Sequence, residues 1–158
     1  MAQDAQDVVD PDVDLRVPAH RREFVGRQAR VLGVIAAGGA LGALARYGVG
    51  ILLPTEPGRF PWGTFAINVS GCLLIGVLMV LVTDVFTARP LLRPFVGVGA
   101  LGGFTTFSTY ANEIRGLLRP GSVPLAFAYL AGTLVCALLA VLLGMIVTRR
   151  LVRPGVRA

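Results

Sequence analysis

Residues Gly97 to Tyr110 read GVGALGGFTTFSTY. The stretch lies inside an apolar segment long enough to cross a membrane, yet it holds four glycines, Gly97, Gly99, Gly102 and Gly103. Glycine frees the backbone from regular helical angles. After the glycines come the hydroxyls of Thr105, Thr106, Ser108 and Thr109. The rings of Phe107 and Tyr110, three residues apart, share one helix face. Non-helical backbone at membrane depth persists only where it is buried in protein or lines a cavity. The stretch therefore predicts a built site within a span and not a plain lipid-facing helix.

The surrounding sequence supplies the frame for that site. The chain has 158 residues, 54% of them hydrophobic, which predicts a small all-α polytopic membrane protein of one domain. Four apolar stretches, 31–53, 62–83, 94–118 and 123–147, are long enough for a hydrocarbon core of ~30 Å. Short connections at 54–61, 84–93 and 119–122 make successive helices antiparallel. No internal repeat is evident. Residues 31–150 form the predicted transmembrane domain, flanked by a polar N-terminal tail, 1–30, and a basic C-terminal tail, 151–158.

The N-terminal tail carries six of the nine acids (Asp4, Asp7, Asp10, Asp12, Asp14 and Glu23) and few large apolar residues, a composition that predicts disorder. It has no hydrophobic segment ending in a small-residue cleavage site, so a cleaved secretory signal is not expected. The net charge of +6 comes from arginines clustered at segment ends, a pattern of membrane orientation and not of nucleic-acid binding. Eleven lie on the side of both termini and the 84–93 loop. Four, Arg46, Arg59, Arg115 and Arg119, lie on the other. Both termini are therefore expected in the cytoplasm. Cys72 and Cys136 fall inside spans and form neither a disulfide framework nor a metal cluster. His20 lies in the tail.

Charged residues are nearly absent from the span interiors. Asp84 and Glu113 fall at or near ends, and Glu56 lies in a loop. A proton-coupled exporter of this size needs an intramembrane carboxylate. A membrane hydrolase needs a nucleophile with its base or a paired acid and base. Neither set is present, so no catalytic residues are assigned. The remaining neutral polar groups suit passive handling of a small solute.

Asn68 lies about two turns into the second span, with Thr64 four residues earlier on the same face. An amide there must be satisfied, either by a neighbouring helix or by a wet pathway, where it can replace water around an anion. Phe107 and Tyr110 pose the same alternative between packing and an anion meeting the positive ring edges. Tyr129 and Thr133 share a face of the fourth span, narrowed by Gly132 and Ala137 and consistent with a helix seam. Arg46 reads as a snorkelling arginine or as a vestibule cation. Gly38 and Gly42, four apart, permit close helix approach. Four helices barely enclose a pathway, so such packing suggests an oligomer.

Three of these segments, GGALGALARYG in the first span, GTFAIN in the second and GGFTTFSTY with a following Glu113 in the third, resemble the Fluc/CrcB family of bacterial fluoride channels. The resemblance covers most of 31–147 and omits the tail. It implies a four-helix subunit with a broken third helix, paired antiparallel with a second subunit around two fluoride pathways in the bacterial cell membrane. It implies a structural sodium ion on backbone carbonyls that map to Gly102 and Thr105. The family's pore asparagine maps to Asn68 and its first pore phenylalanine to Phe107. Ser108 and Thr109 match the hydroxyl positions between the aromatics, and Tyr129 and Thr133 match a polar track on the fourth helix. Thr64 completes the expected pathway. Tyr110 stands where the family usually has a second phenylalanine.

The resulting expectation is a passive, fluoride-selective channel. The arginine asymmetry adds that the chain inserts mainly one way and pairs with an oppositely oriented paralogue, an antiparallel homodimer being the other arrangement that the resemblance allows. Two other classes remain: a small antiparallel multidrug or cation exporter, and a non-transporting assembly subunit whose polar residues only join helices.

Overall fold

The computed structural model describes residues 28–85 and 90–152. Nearly all of the predicted N-terminal tail, including His20, lies outside the described residues, as do Arg89 and residues 153–158.

Backbone groups facing hydrocarbon must be satisfied within their own segment, and the apolar stretches are helical. Helices α1 (Ala29–Leu52), α2 (Trp62–Asp84) and α6 (Val123–Val152) are each long and apolar enough to cross a membrane. The stretch predicted as the third span is divided. It consists of α3 (Arg93–Leu101), wound as a π-helix, the single turn α4 (Gly102–Phe104), and α5 (Phe107–Leu117). Between α4 and α5, Thr105 and Thr106 are extended, with ψ of 156° and 123°. No strand occurs among the described residues.

Two helix pairs make up the fold: α2 against α6, and α1 against α3. Among the described residues α1 and α6 do not touch. Both seams rest on residues without side chains, which let backbones meet where no hydrophobic force draws helices together. A Cβ at Gly38 would overlap the Phe95 carbonyl, and one at Gly42 the Ala100 carbonyl. Likewise Gly76 abuts the Val141 carbonyl and Gly144 the Leu73 carbonyl. Gly132, expected to narrow the α6 seam, has open space where a Cβ would stand. Gly144, three turns further on, fills that role because α6 crosses α2 there.

Leu41 and Leu44 on α1, and Leu138 and Leu142 on α6, face outward. Buried apolar side chains include Leu78, Val80, Leu101 and Ala140, and a separate cluster sits at one end, where Leu117, Ala126 and Tyr129 pack with Phe60 and Phe65. That end carries the 54–61 loop and the turn after α5. The opposite end holds the start of α1, the end of α2, the start of α3 and the end of α6, and so collects Arg30, Arg93, Arg149 and Arg150.

Candidate functional site

An extended pair of residues inside an apolar protein leaves peptide groups outside the helical ladder, and each needs a partner. Asn68 provides both for Thr106. Its Nδ2 donates to the Thr106 carbonyl at 2.9 Å, and its Oδ1 accepts from the Thr106 N–H at 2.8 Å. One side chain of α2 thus substitutes for a strand neighbour. Gly71, one turn along α2, sits against the Thr105 methyl so closely that a Cβ would overlap it. Thr106 caps the helix that follows: its Oγ1 accepts from the Thr109 N–H at 3.2 Å and lies 3.1 Å from the Thr109 hydroxyl. A threonine in the β region at this position is a favoured N-cap. The Thr105 hydroxyl turns back to the Leu101 carbonyl at 2.9 Å.

A cleft of about 280 Å³ opens beside the break, between α2, α5 and α6. Asn68, Thr105, Thr106, Phe107, Tyr110 and Thr133 are among its walls. Thr133 is 5% exposed, and its Oγ1 has no hydrogen-bond partner. A buried hydroxyl left without a partner carries a desolvation cost. Phe107 and Tyr110 stand 6.0 Å apart between ring centroids, and Tyr110 meets Tyr129 edge-on at 5.1 Å. The Tyr110 hydroxyl donates to the Leu130 carbonyl at 2.7 Å. It is thereby drawn onto α6.

Glu113 forms a second polar centre, which residue-by-residue reading missed as a hub. Its Oε1 accepts from Thr64 at 2.9 Å and from Thr55 at 3.4 Å, and its Oε2 accepts from Tyr129 at 2.7 Å. Thr64 and Tyr129 are 6% and 0% exposed. The carboxylate joins α2, α5, α6 and the first loop, and it also lines a larger outer cleft of about 450 Å³ with Arg59 and Arg119. A signal was available: Tyr110, Glu113 and Leu117 share one face of a largely exposed helix, and a carboxylate on the face that packs inward must find donors.

The expected site residues therefore divide. Asn68, Phe107, Tyr110 and Thr133 meet on one cleft, with Thr105 beside them. Thr64 and Tyr129 meet on Glu113. Ser108 and Thr109 are exposed on α5, turned away from the core. Gly102 is exposed and Thr105 half-buried on either side of the end of α4. No cluster of three or more His, Cys, Asp or Glu able to hold a metal occurs among the described residues.

Apolar helices joined through glycine seams, with neutral polar groups gathered at a backbone break, define a small helical membrane protein with a polar site at span depth. The chain belongs to the CrcB family: residues 33–145 match the family described as CrcB-like protein, Camphor Resistance (CrcB). It is similar to a Nocardia farcinica protein named fluoride-specific ion channel FluC 2, with 59% identity over 114 residues, covering 72% of this chain and 81% of that one. A Streptomyces avermitilis protein also named FluC 2 is 52% identical over 129 residues, covering 82% of each chain. A Streptomyces coelicolor protein named fluoride-specific ion channel FluC 1 is 48% identical over 139 residues, covering 88% of this chain and 90% of its own.

Proposed function

We propose that this protein is a fluoride-selective ion channel that lets fluoride leave the cytoplasm down its gradient and so lowers its toxicity. The observation that carries this is the cleft at the break, where Asn68, Phe107, Tyr110 and the unpartnered Thr133 hydroxyl meet in a chain whose relatives are named fluoride-specific channels. Fluoride is strongly hydrated, so a pathway must replace its water with several modest donors. Hydroxyl and amide hydrogens and positive ring edges do this without the tight binding that would stop exit. No chemical step is involved. The relatives favour this over a proton-coupled exporter.

The divided third stretch acts as the fourth membrane crossing, and two subunits pair antiparallel. Phe107 is 79% exposed, and Ser108, Thr109 and Asn112 lie exposed beside it. A hydroxyl-bearing face at membrane depth needs cover from protein, and a second subunit provides it. Exposed Gly102 and the extended Thr105 then bring carbonyl oxygens to the pair's centre, a donor set that suits a hard cation such as sodium. One subunit offers too few such oxygens, so the partner must supply the others. When bound, the ion would fix the two breaks against each other.

The arginines at the end bearing α1's start and α6's finish orient both termini to the cytoplasm of a bacterial cell. With eleven arginines against four, insertion is mainly one way, and the complementary subunit is an oppositely oriented paralogue or the minority orientation of this chain. Mapping loop accessibility after expressing the gene alone separates these: similar amounts of both orientations sink the paralogue.

The deciding experiment is fluoride efflux from liposomes holding the purified protein, with chloride as control. Fluoride release without chloride release is expected, alone or with the paralogue. Chloride release at a similar rate, or no release in either arrangement, overturns the proposal.

A further inference from the structure

The helix seams fix which residues share a level at the end that carries the start of α1 and the finish of α6. Thr64 of α2 and Tyr129 of α6 meet on Glu113. Twelve residues further along each helix, Gly76 abuts the Val141 carbonyl. The two helices therefore run the same way, and Arg149 lies level with Asp84. Gly97 of α3 lies against Leu78 of α2, which brings Arg93, at the start of α3, close to the same level. α3 and α6 do not touch among the described residues, so these arginines flank the end of α2. Asp84 is twenty-two residues from Trp62, or ~33 Å at 1.5 Å per residue, the full depth of a ~30 Å hydrocarbon core. The arginines thus stand at headgroup depth.

We propose that this rim binds the phosphates of anionic phospholipids and that the folded protein is stabilised by them. Arg30, Arg93, Arg149 and Arg150 are all exposed, and none makes an ion pair or side-chain hydrogen bond among the described residues. Asp84, the only acid at that end among the described residues, already has a partner. At the opposite end Arg59 is paired with Glu56 at 2.8 Å, and Arg115 donates to Asn112 at 2.8 Å. A guanidinium matches two phosphate oxygens at once, so the unpaired rim suits that group. A second observation selects lipid over a free anion. Behind Arg150, Ile146, Leu143 and Leu139 follow at spacings of four, three and four on one stripe of α6, and all are exposed. An anionic head with an apolar chain directly beneath it fills both parts, whereas inorganic phosphate or an acidic peptide fills only the first. Positive charge at one end orients insertion by itself; headgroup binding adds a stability that depends on the class of lipid present.

This inference needs a membrane-embedded chain and not the channel function. The full-length protein in detergent micelles is titrated with phosphatidylglycerol or with phosphatidylcholine. Native mass spectrometry counts the lipids retained, and circular dichroism follows thermal unfolding. Phosphatidylglycerol is expected to be retained in preference to phosphatidylcholine and to raise the thermal midpoint, as a ligand of the folded state alone must. Each arginine near an anionic headgroup contributes about fivefold in affinity, so R93Q/R149Q/R150Q should weaken retention of phosphatidylglycerol by about a hundredfold. If that variant does not fold, R149Q/R150Q, at the exposed end of α6, should still weaken it by about 25-fold. The control R59Q/R115Q/R119Q removes the same charge from the other end and should leave retention within about twofold of the parent. Equal retention of the two lipids overturns the proposal, and it is the result expected if Asp4, Asp7, Asp10, Asp12 and Asp14 of the chain neutralise the rim instead. An equal loss in the control, or the same rise in midpoint with inorganic phosphate in place of lipid, also overturns it.

Discussion

Replacing Asn68 by alanine tests whether one side chain holds the break open. The amide makes two bonds to Thr106, at 2.8 and 2.9 Å, and Thr106 is 7% exposed. Alanine strands one N–H and one C=O. A buried polar group without a partner costs about 1–3 kcal/mol. The adjoining cleft admits some water, which places each group near the lower end. The sum is about 2–3 kcal/mol, or about 30- to 140-fold in the unfolding equilibrium. Reversible denaturant unfolding in detergent micelles, followed by circular dichroism, reads this as a lower midpoint at unchanged slope. Asn68→Asp separates the structural role from the electrostatic one. Aspartate still accepts from the Thr106 N–H but turns an oxygen onto the Thr106 carbonyl, and it brings a negative charge to the cleft. It is expected to match or exceed the instability of alanine and to suppress fluoride efflux further. If Asn68→Ala unfolds within about 0.5 kcal/mol of the parent, the amide does not hold the break. Efflux by Asn68→Asp equal to the parent at neutral pH removes the residue from the pathway.

Glu113→Ala leaves the Thr64 and Tyr129 hydroxyls buried without an acceptor and should destabilise by about 2–4 kcal/mol; Tyr129→Phe keeps the ring contacts and should lose about 1.5–3 kcal/mol by the same assay. Gly144→Leu, whose Cβ would enter the Leu73 carbonyl, should separate α2 from α6 and abolish monodisperse protein in size-exclusion chromatography, whereas Gly132→Ala, with open space around it, should stay within about 0.5 kcal/mol of the parent. Tyr110→Phe gives up the bond to the Leu130 carbonyl at a cost of about 0.5–1.5 kcal/mol and should retain efflux, because the hydroxyl is committed to that carbonyl; loss of efflux would assign the hydroxyl itself to the pathway.

Much was legible in the chain because membranes restrict what a backbone can do. Twenty-odd apolar residues between short polar connections permit a helix and little else, so α1, α2 and α6 were placed to within a few residues by length and hydropathy. The extended Thr105 and Thr106 lie within the cluster of glycines followed by hydroxyls. Asn68, polar and isolated in its span, could be read as needing a partner. What could not be read was which partner: periodicity orients a side chain around its own helix and says nothing of the helix opposite. Only packing brings Asn68 to the backbone of Thr106, 38 residues away, and Thr133 to the same cleft without a bond. Packing likewise turns Glu113 from a charge near a helix end into the acceptor of three hydroxyls, and it draws Tyr110 onto Leu130. The sequence by itself determined that the chain is helical and where its three long apolar helices lie, because those follow from local solvation of the backbone. The tertiary structure decided which polar groups satisfy one another and which is left without a partner, because that depends on distances between helices that no single helix contains.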